Sequence, residues 1–274
     1  MPELPEVENV KLSLHRQGAI GQVFAKVQVQ RQGLRTPFAK DLSRRLKGER
    51  ILKLERRAKF LLFETEHYIL LSHLGMTGSW RTDSGKKLKL TKHDHVVLHF
   101  TSQLQLIFND PRRFGLLELV KKTELHTNKW LKHLGLEPLE DEFTPERLFI
   151  YTRRRKTSIK SLLMDQKVLV GVGNIYASEA LYRAAIRPTR AAGKITRAEA
   201  AKLVLSIRQV LQRAILAGGS TISDYRNSEG KDGAFQNEFL VYDRSGKPCV
   251  HCGTKIRSNL IAGRNTFWCP KCQR

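Results

Sequence analysis

The first residues of the chain, Met1-Pro2-Glu3-Leu4-Pro5-Glu6-Val7-Glu8, place a proline and a carboxylate where they could do covalent chemistry. Removal of Met1, which a small second residue permits, leaves Pro2 with a free secondary amine and Glu3 beside it. An unperturbed α-amino group with a pKa near ~7.7 to 8.0 is roughly a tenth neutral at pH 7, whereas a lysine near ~10.4 is neutral only about 0.04% of the time. The terminal amine is therefore the better-poised nucleophile towards a sugar carbon or an aldehyde. Proline's secondary amine is more basic than the average terminus, so this advantage needs help from the fold. A helix beginning near Pro5 would supply it, because the positive end of its dipole disfavours an ammonium nearby. A retained Met1 would make the Pro2 nitrogen an amide and remove the chemistry. The alternative is an ordinary N-terminus whose prolines only start a helix.

All four cysteines lie in the last 26 residues, as Cys249-x-x-Cys252 and Cys269-x-x-Cys272 with 16 residues between the pairs. That spacing suits two thiolate pairs around one tetrahedral Zn²⁺, with two disulfides as the alternative. Residues 256–261 and 266–268 read as a hairpin turning through Ala262-Gly263-Arg264-Asn265, so a structural metal would hold Arg264 out at the tip.

Three other places carry chemistry-bearing residues. Lys59 leads directly into the apolar run 60–63 and is fixed by its neighbours, although a lone lysine is more often solvated. Asn109-Asp110-Pro111-Arg112-Arg113-Phe114-Gly115 sets two cations and an aromatic on a turn. Aromatic wedges beside arginines occupy the gap left when a base leaves a duplex, and a core Phe114 with surface arginines is an equal alternative. Gly171-Val172-Gly173-Asn174 lacks the third glycine and the βαβ setting of a dinucleotide site. A glycine turn with Asn174 at a helix start would instead offer N–H groups to a DNA phosphate.

The elements that must position these groups change character along the chain. Residues 6–17 place Val7, Val10 and Leu14 on one helical face, ended by Gly18 and Gly21. Short β-like runs follow at 23–30, 51–55, 60–63, 68–74, 95–100, 104–108 and 116–120, which suggests an antiparallel sandwich. Residues 131–143 read as a connection. Helical patterns then occupy a segment starting at Thr144-Pro145-Glu146, followed by 158–166, 174–185 and 196–217, the last with a Thr196/Glu199 capping box. The polar stretch 220–236 reads as an exposed, mobile loop.

Composition sets the partner class. The 274 residues are 41% hydrophobic, enough for more than one core, and 49 Lys+Arg against 26 Asp+Glu give a formal charge of +23. Nucleic acid leads, ahead of anionic membranes and acidic proteins. No stretch approaches the roughly 20 apolar residues of a membrane span, and the N-terminus has no apolar signal core, so the chain reads as soluble and cytosolic.

The opening octapeptide, Arg57-Ala58-Lys59, His73-Leu74-Gly75-Met76, Lys92-His93-Asp94-His95, Asp110-Pro111-Arg112-Arg113-Phe114-Gly115, Gly171-Val172-Gly173-Asn174-Ile175-Tyr176 and the four-cysteine terminus together resemble the bacterial formamidopyrimidine-DNA glycosylase family. The resemblance spans essentially the whole chain, in the family's order, and Pro-Glu-Leu-Pro favours this family over its relative endonuclease VIII, which acts mainly on oxidised pyrimidines. It implies an α+β multidomain protein. The expected parts are an N-terminal catalytic β-sandwich with a flanking N-terminal helix over 1–130, a linker over 131–143, a helix-two-turn-helix DNA-binding domain with a lesion-recognition loop over 144–236, and a zinc-finger β-hairpin over 237–274.

The implied activity is base-excision repair: removal of 8-oxoguanine and ring-opened purines from duplex DNA, then strand cleavage by β,δ-elimination. Carried to matching positions, the family roles make Pro2 the nucleophile at C1′ and Glu3 its acid/base partner. Lys59 becomes a proton donor or phosphate contact, and Arg264 assists elimination. Met76, Arg112 and Phe114 would fill the space vacated by the flipped base. His93, Arg113, Asn174 and the run Arg155-Lys156 would contact DNA. Cys249, Cys252, Cys269 and Cys272 would hold one structural Zn²⁺. Damaged double-stranded DNA is the expected partner, with no membrane and no nucleotide cofactor, for a monomer in the bacterial cytoplasm at the nucleoid. The rival readings are a zinc protein that only binds DNA, which leaves Pro2, Glu3 and Lys59 unexplained, and a glycosylase for oxidised pyrimidines.

Overall fold

The helix expected beneath the terminus begins the chain. In the computed structural model, which describes residues 1–84, 89–221 and 228–274, α1 runs over Leu4–Arg16 with Pro5 in its first turn, where a missing N–H leaves no intrahelical bond unmade. Leu4, Val7, Val10 and Leu14 are buried on one face. The chain divides into two compact units, Met1–Lys132 with Ala217–Ala234, and His133–Leu216 with Phe235–Arg274.

The first unit continues with β1 (Phe24–Val29), α2 (Leu42–Leu46), β2 (Lys53–Arg57), β3 (Phe60–Glu64), β4 (Tyr68–His73), β5 (Ser79–Asp83), β6 (Asp94–Phe100), β7 (Gln105–Asn109) and β8 (Leu116–Lys121). Two four-stranded antiparallel sheets result, in the orders β1-β6-β7-β5 and β2-β3-β4-β8. One core takes side chains from both: Phe24, Trp80, Leu98 and Phe108 from the first sheet, and Leu54, Phe63, Leu70 and Leu117 from the second. Trp80 donates its indole N–H across that core to Ser72 Oγ at 2.9 Å. The second sheet is also covered on its other face, where Phe60, Leu62 and Leu71 meet Trp130 and Leu131. That explains why β3 reads as a continuous apolar run and not as an alternation. The sandwich is the one expected, with two additions: α2, and β5, whose single fully buried residue is Trp80.

The second unit contains α3 (Pro145–Thr152), α4 (Ile159–Leu163), α5 (Asn174–Arg183), α6 (Arg197–Leu216) and a terminal hairpin of β9 (Arg257–Ile261) and β10 (Arg264–Trp268). Thr144 and Ser158 cap α3 and α4. The expected capping box opens α6, with Thr196 N–H on Glu199 Oε2 at 2.9 Å and Glu199 N–H on Thr196 Oγ1 at 3.2 Å. α6 packs against both α3 and α5. From α5, the wholly buried Glu179 gathers the chain leading to the hairpin, accepting the backbone N–H groups of Leu240, Val241 and Tyr242 within 3.1 Å.

Candidate functional site

Pro2 and Glu3 are both buried, Glu3 to 3% exposure, and Glu3 is the N-cap of α1. The Pro2 nitrogen thus sits at the positive end of the helix dipole, where a positive charge is disfavoured. Glu6 fixes this end. Its Oε2 accepts the Glu3 backbone N–H at 2.8 Å, while Oε1 accepts the Ser220 N–H at 2.8 Å and the Ser220 hydroxyl at 3.0 Å. Further along α1, Ser228 Oγ lies 2.5 Å from Ser13 Oγ and 2.8 Å from Gln17 Oε1. Ser220 and Ser228, on either side of residues 222–227, are therefore tied to α1 and its C-cap. Within the loop expected at 220–236, residues 222–227 lie outside the described residues.

Arg57 pairs with Phe60, which makes Ala58-Lys59 the two-residue turn between β2 and β3. Ala58 takes a left-handed backbone at φ +55°, an unfavourable conformation for a residue with a Cβ. Lys59 is only 7% exposed, against the usual solvated fate of a turn lysine. Arg56 joins this turn to α1, since its Nε lies 2.9 Å from Glu8 Oε2 and its Nη1 donates to the Ala58 carbonyl at 3.0 Å. His73 at the end of β4 accepts the Gly75 N–H on Nδ1 at 2.9 Å, and its ring stands edge-on to Phe60. Burial first, then the cations Lys59 and Arg35, push its pKa down to about 4, so the imidazole is neutral at pH 7.

Met76, in the β4–β5 loop, and Phe114, in the β7–β8 loop, are exposed apolar residues, at 39% and 48% exposure. Gly75 brings their backbones together: its φ is +63°, and a methyl group there would collide with the Phe114 carbonyl. Arg112 lays its guanidinium 5.0 Å from the Phe114 ring centroid. Arg113 is exposed, with φ +59°. His93, half-buried in the turn before β6, accepts the Asp110 N–H on its carbonyl at 3.0 Å. Asp94 holds that turn. Burial raises its carboxyl's pKa, but bonds from the Thr91 N–H, Asn109 and Arg81 outweigh this and keep it below the ordinary carboxylate value.

In the second unit Asn174 is the first residue of α5, behind Gly173. Its Nδ2 donates to the Asn265 carbonyl at 2.9 Å, and its Oδ1 accepts from Lys160 Nζ at 2.5 Å. Lys160 is 1% exposed and reaches Thr266 Oγ1 at 2.6 Å, while Thr266 Oγ1 donates to the Arg264 carbonyl at 3.0 Å. Lys160 was not singled out from the sequence. Arg155 and Lys156 lie on the exposed segment between α3 and α4. Arg264 is exposed, but it is the first residue of β10; the turn is Ala262-Gly263, both at positive φ, and not the four residues expected.

The four cysteines are free thiols whose Sγ atoms all lie within 4.8 Å of one another, with Cys249 to Cys272 at 3.9 Å and Cys252 to Cys269 at 3.5 Å. A tetrahedron with Zn–S near ~2.3 Å has edges of about 3.8 Å, so the donor set fits one Zn²⁺. Tyr182 Oη lies 3.1 Å from Cys249 Sγ, able to donate to a metal-bound thiolate. Gln273 accepts the Cys269 N–H and donates to the Ile186 carbonyl, both at 2.9 Å, which ties the knuckle to the end of α5. The arrangement is structural, since four thiolates complete the coordination.

Three family models match in order: the formamidopyrimidine-DNA glycosylase N-terminal domain over residues 1–117, the formamidopyrimidine-DNA glycosylase H2TH domain over 134–226, and the zinc finger found in FPG and IleRS over 246–274. The formamidopyrimidine-DNA glycosylase of Bdellovibrio bacteriovorus is 46% identical over 274 residues, covering 100% of both chains. Among solved structures, a mutant FPG of Lactococcus lactis in complex with DNA containing Fapy-dG is similar at a TM-score of 0.91 and 34% identity, covering 100% of both chains. The MutM (FPG) protein of Thermus thermophilus is similar at 0.88 and 40% identity, over 99% of this chain and 98% of that one. Identity of this order along the full length, with the three domain models in register, means that the chain belongs to the formamidopyrimidine-DNA glycosylase family.

Proposed function

We propose that this chain is a base-excision repair DNA glycosylase and abasic-site lyase that removes 8-oxoguanine and formamidopyrimidines from duplex DNA through a Schiff base on Pro2. The observation that carries this reading is the buried Pro2-Glu3 pair at the head of α1, held by Glu6, on a helix that Arg56 joins to the turn that buries Lys59. The Lactococcus lactis protein that resembles it was solved with DNA containing Fapy-dG, a ring-opened purine lesion.

Mechanistically, the neutral Pro2 nitrogen attacks C1′ of the damaged nucleotide and the C1′–N bond to the base breaks, the base leaving with a proton. Opening of the sugar ring gives an iminium between Pro2 and C1′. That cation acidifies the C2′ proton, whose removal expels the 3′ phosphate, and a second elimination expels the 5′ phosphate. Glu3 relays protons in these steps, and Lys59 supplies a proton or holds a phosphate near the lesion. Met76, Arg112 and Phe114 occupy the space of the extruded nucleotide. His93, Arg113, Asn174, Arg155 and Lys156 contact DNA, and Arg264 assists elimination. Zn²⁺ holds the hairpin that carries Arg264 and takes no part in the bond changes.

Borohydride added during turnover should reduce the iminium and leave a covalent adduct that peptide mapping places on the terminal proline. Pro2→Gly should weaken trapping, a retained Met1 should abolish it, and Lys59→Ala should leave some. Mapping to Lys59 with Pro2 unmodified would identify a different nucleophile. Faster excision of thymine glycol than of 8-oxoguanine from matched duplexes would move the chain to the oxidised-pyrimidine specificity.

A further inference from the structure

Asp110 is wholly buried, yet its carboxylate and its carbonyl serve the turn that follows it. Its Oδ2 accepts the Gly115 N–H at 2.7 Å, and its carbonyl accepts the Arg113 N–H at 3.3 Å, so the carboxylate and the main chain clamp Arg112-Arg113-Phe114 from both sides. Gly115 has no room for a side chain here, since a methyl group would meet Asp110 Oδ2 and the Phe108 ring at 2.9 Å. The backbone N–H of Asp110 donates to His93, and its carbonyl also lies 2.8 Å from His95 Nε2.

The remaining oxygen, Oδ1, accepts the Thr77 hydroxyl at 2.6 Å, the length of a charge-assisted bond. Thr77 Oγ1 accepts the Arg112 N–H at 3.1 Å, so its single proton is committed to Asp110. Thr77 directly follows Met76, and Gly75 packs on the Phe114 backbone. Two loops from different parts of the chain thus meet at one hydroxyl.

We infer that the Thr77–Asp110 hydrogen bond is the positioning device that holds Met76 and the Arg112-Phe114 turn as a single pre-formed wedge, a role that rests on reading those three side chains as filling the space of the extruded base. Thr77 and Asp110 act through the side chains they hold. Opening a duplex costs unstacking and unpairing, and a wedge that had to order itself during insertion would add the entropy of fixing two loops to that cost. With the lesion already unpaired, the device has little left to do.

The test is single-turnover excision of 8-oxoguanine by the full-length zinc-loaded protein, from a paired duplex and from a bubble in which the lesion is unpaired. Thr77→Val should slow duplex excision by about tenfold or more, the equivalent of losing one charge-assisted bond, with a bubble rate within about twofold of the unaltered protein. Thr77→Ser keeps the hydroxyl and should restore the duplex rate. Equal slowing on both substrates, no slowing on either, or a serine variant as slow as the valine one overturns the inference. Phe114→Ala runs beside them: if it leaves duplex excision undiminished, the space-filling reading fails, whereas slowing by Phe114→Ala with none by Thr77→Val removes the positioning role alone.

Discussion

Arg56 and Glu8 form an ion pair at 2.9 Å with both side chains largely withdrawn from solvent, and the same guanidinium donates to the Ala58 carbonyl. One side chain on β2 therefore holds α1, the helix that follows Pro2 and Glu3, against the turn that buries Lys59. Pro2 and Lys59 come from sequence positions 57 residues apart. This guanidinium links the helix behind the one to the turn that carries the other.

Arg56→Met should destabilise the protein by about 2 to 4 kcal/mol in urea unfolding, because the Ala58 carbonyl and part of the Glu8 charge lose a partner in a poorly solvated place. Glu8→Gln should cost less, and the double variant should show coupling between the two. Excision should slow more than stability alone explains, because the Lys59 turn is freed. Strictly additive effects in the double-mutant cycle would mean that the pair does not act as a unit.

His73 gives a pH signature. Its folded pKa, about 4, lies below the ordinary value of 6.5, so the unfolded chain takes up the proton first. The contribution to stability is complete above about pH 6.5 and is lost as the pH falls from there towards about 4; the full separation corresponds to about 3 kcal/mol. Lys59→Met removes one of the cations and should raise the His73 pKa in an NMR titration. A wild-type ring titrating near 6.5 would contradict its burial beside Phe60 and Lys59.

Metal removal should act on folding before chemistry. Cys269→Ser, or chelation of the native protein, should melt the β9-β10 hairpin, because in so small a module the metal-binding energy is folding energy. Arg264 would then be misplaced and the Asn265 carbonyl lost to Asn174. New proteolytic cuts between Cys252 and Cys269, together with impaired strand cleavage, are the expected readouts; full activity in verified metal-free protein would remove zinc from the scheme.

Much of the architecture was legible because it is written in periodicity and punctuation. The α1 stripe, the Thr196/Glu199 box and the paired cysteines each read directly. α2 did not, having two buried leucines in five residues and no side-chain cap. β5 lacks an alternating pattern because its remaining residues are only half-buried. The hairpin turn was drawn too long because Ala262, which carries a Cβ, occupies a positive-φ position normally signalled by Gly, Asn or Asp. The groups hardest to find were buried charges. Lys160 and Glu179 look like surface residues by type, and only the tertiary fold supplies the Asn174, Thr266 and backbone N–H partners that make their burial tolerable. The signal for Glu179 is weak but present: it stands within the apolar run of α5.

Glu6 divides its carboxylate between Glu3 and Ser220, so the base of the stretch leading into 222–227 and the backbone beside Pro2 share one degree of freedom. Sequence drift in that stretch that displaces Ser220 would be transmitted to Glu3 and alter turnover. If that stretch is the lesion-recognition loop that the family resemblance implies, lesion preference and rate would evolve as linked traits, separable only by substitutions that leave the serine in place.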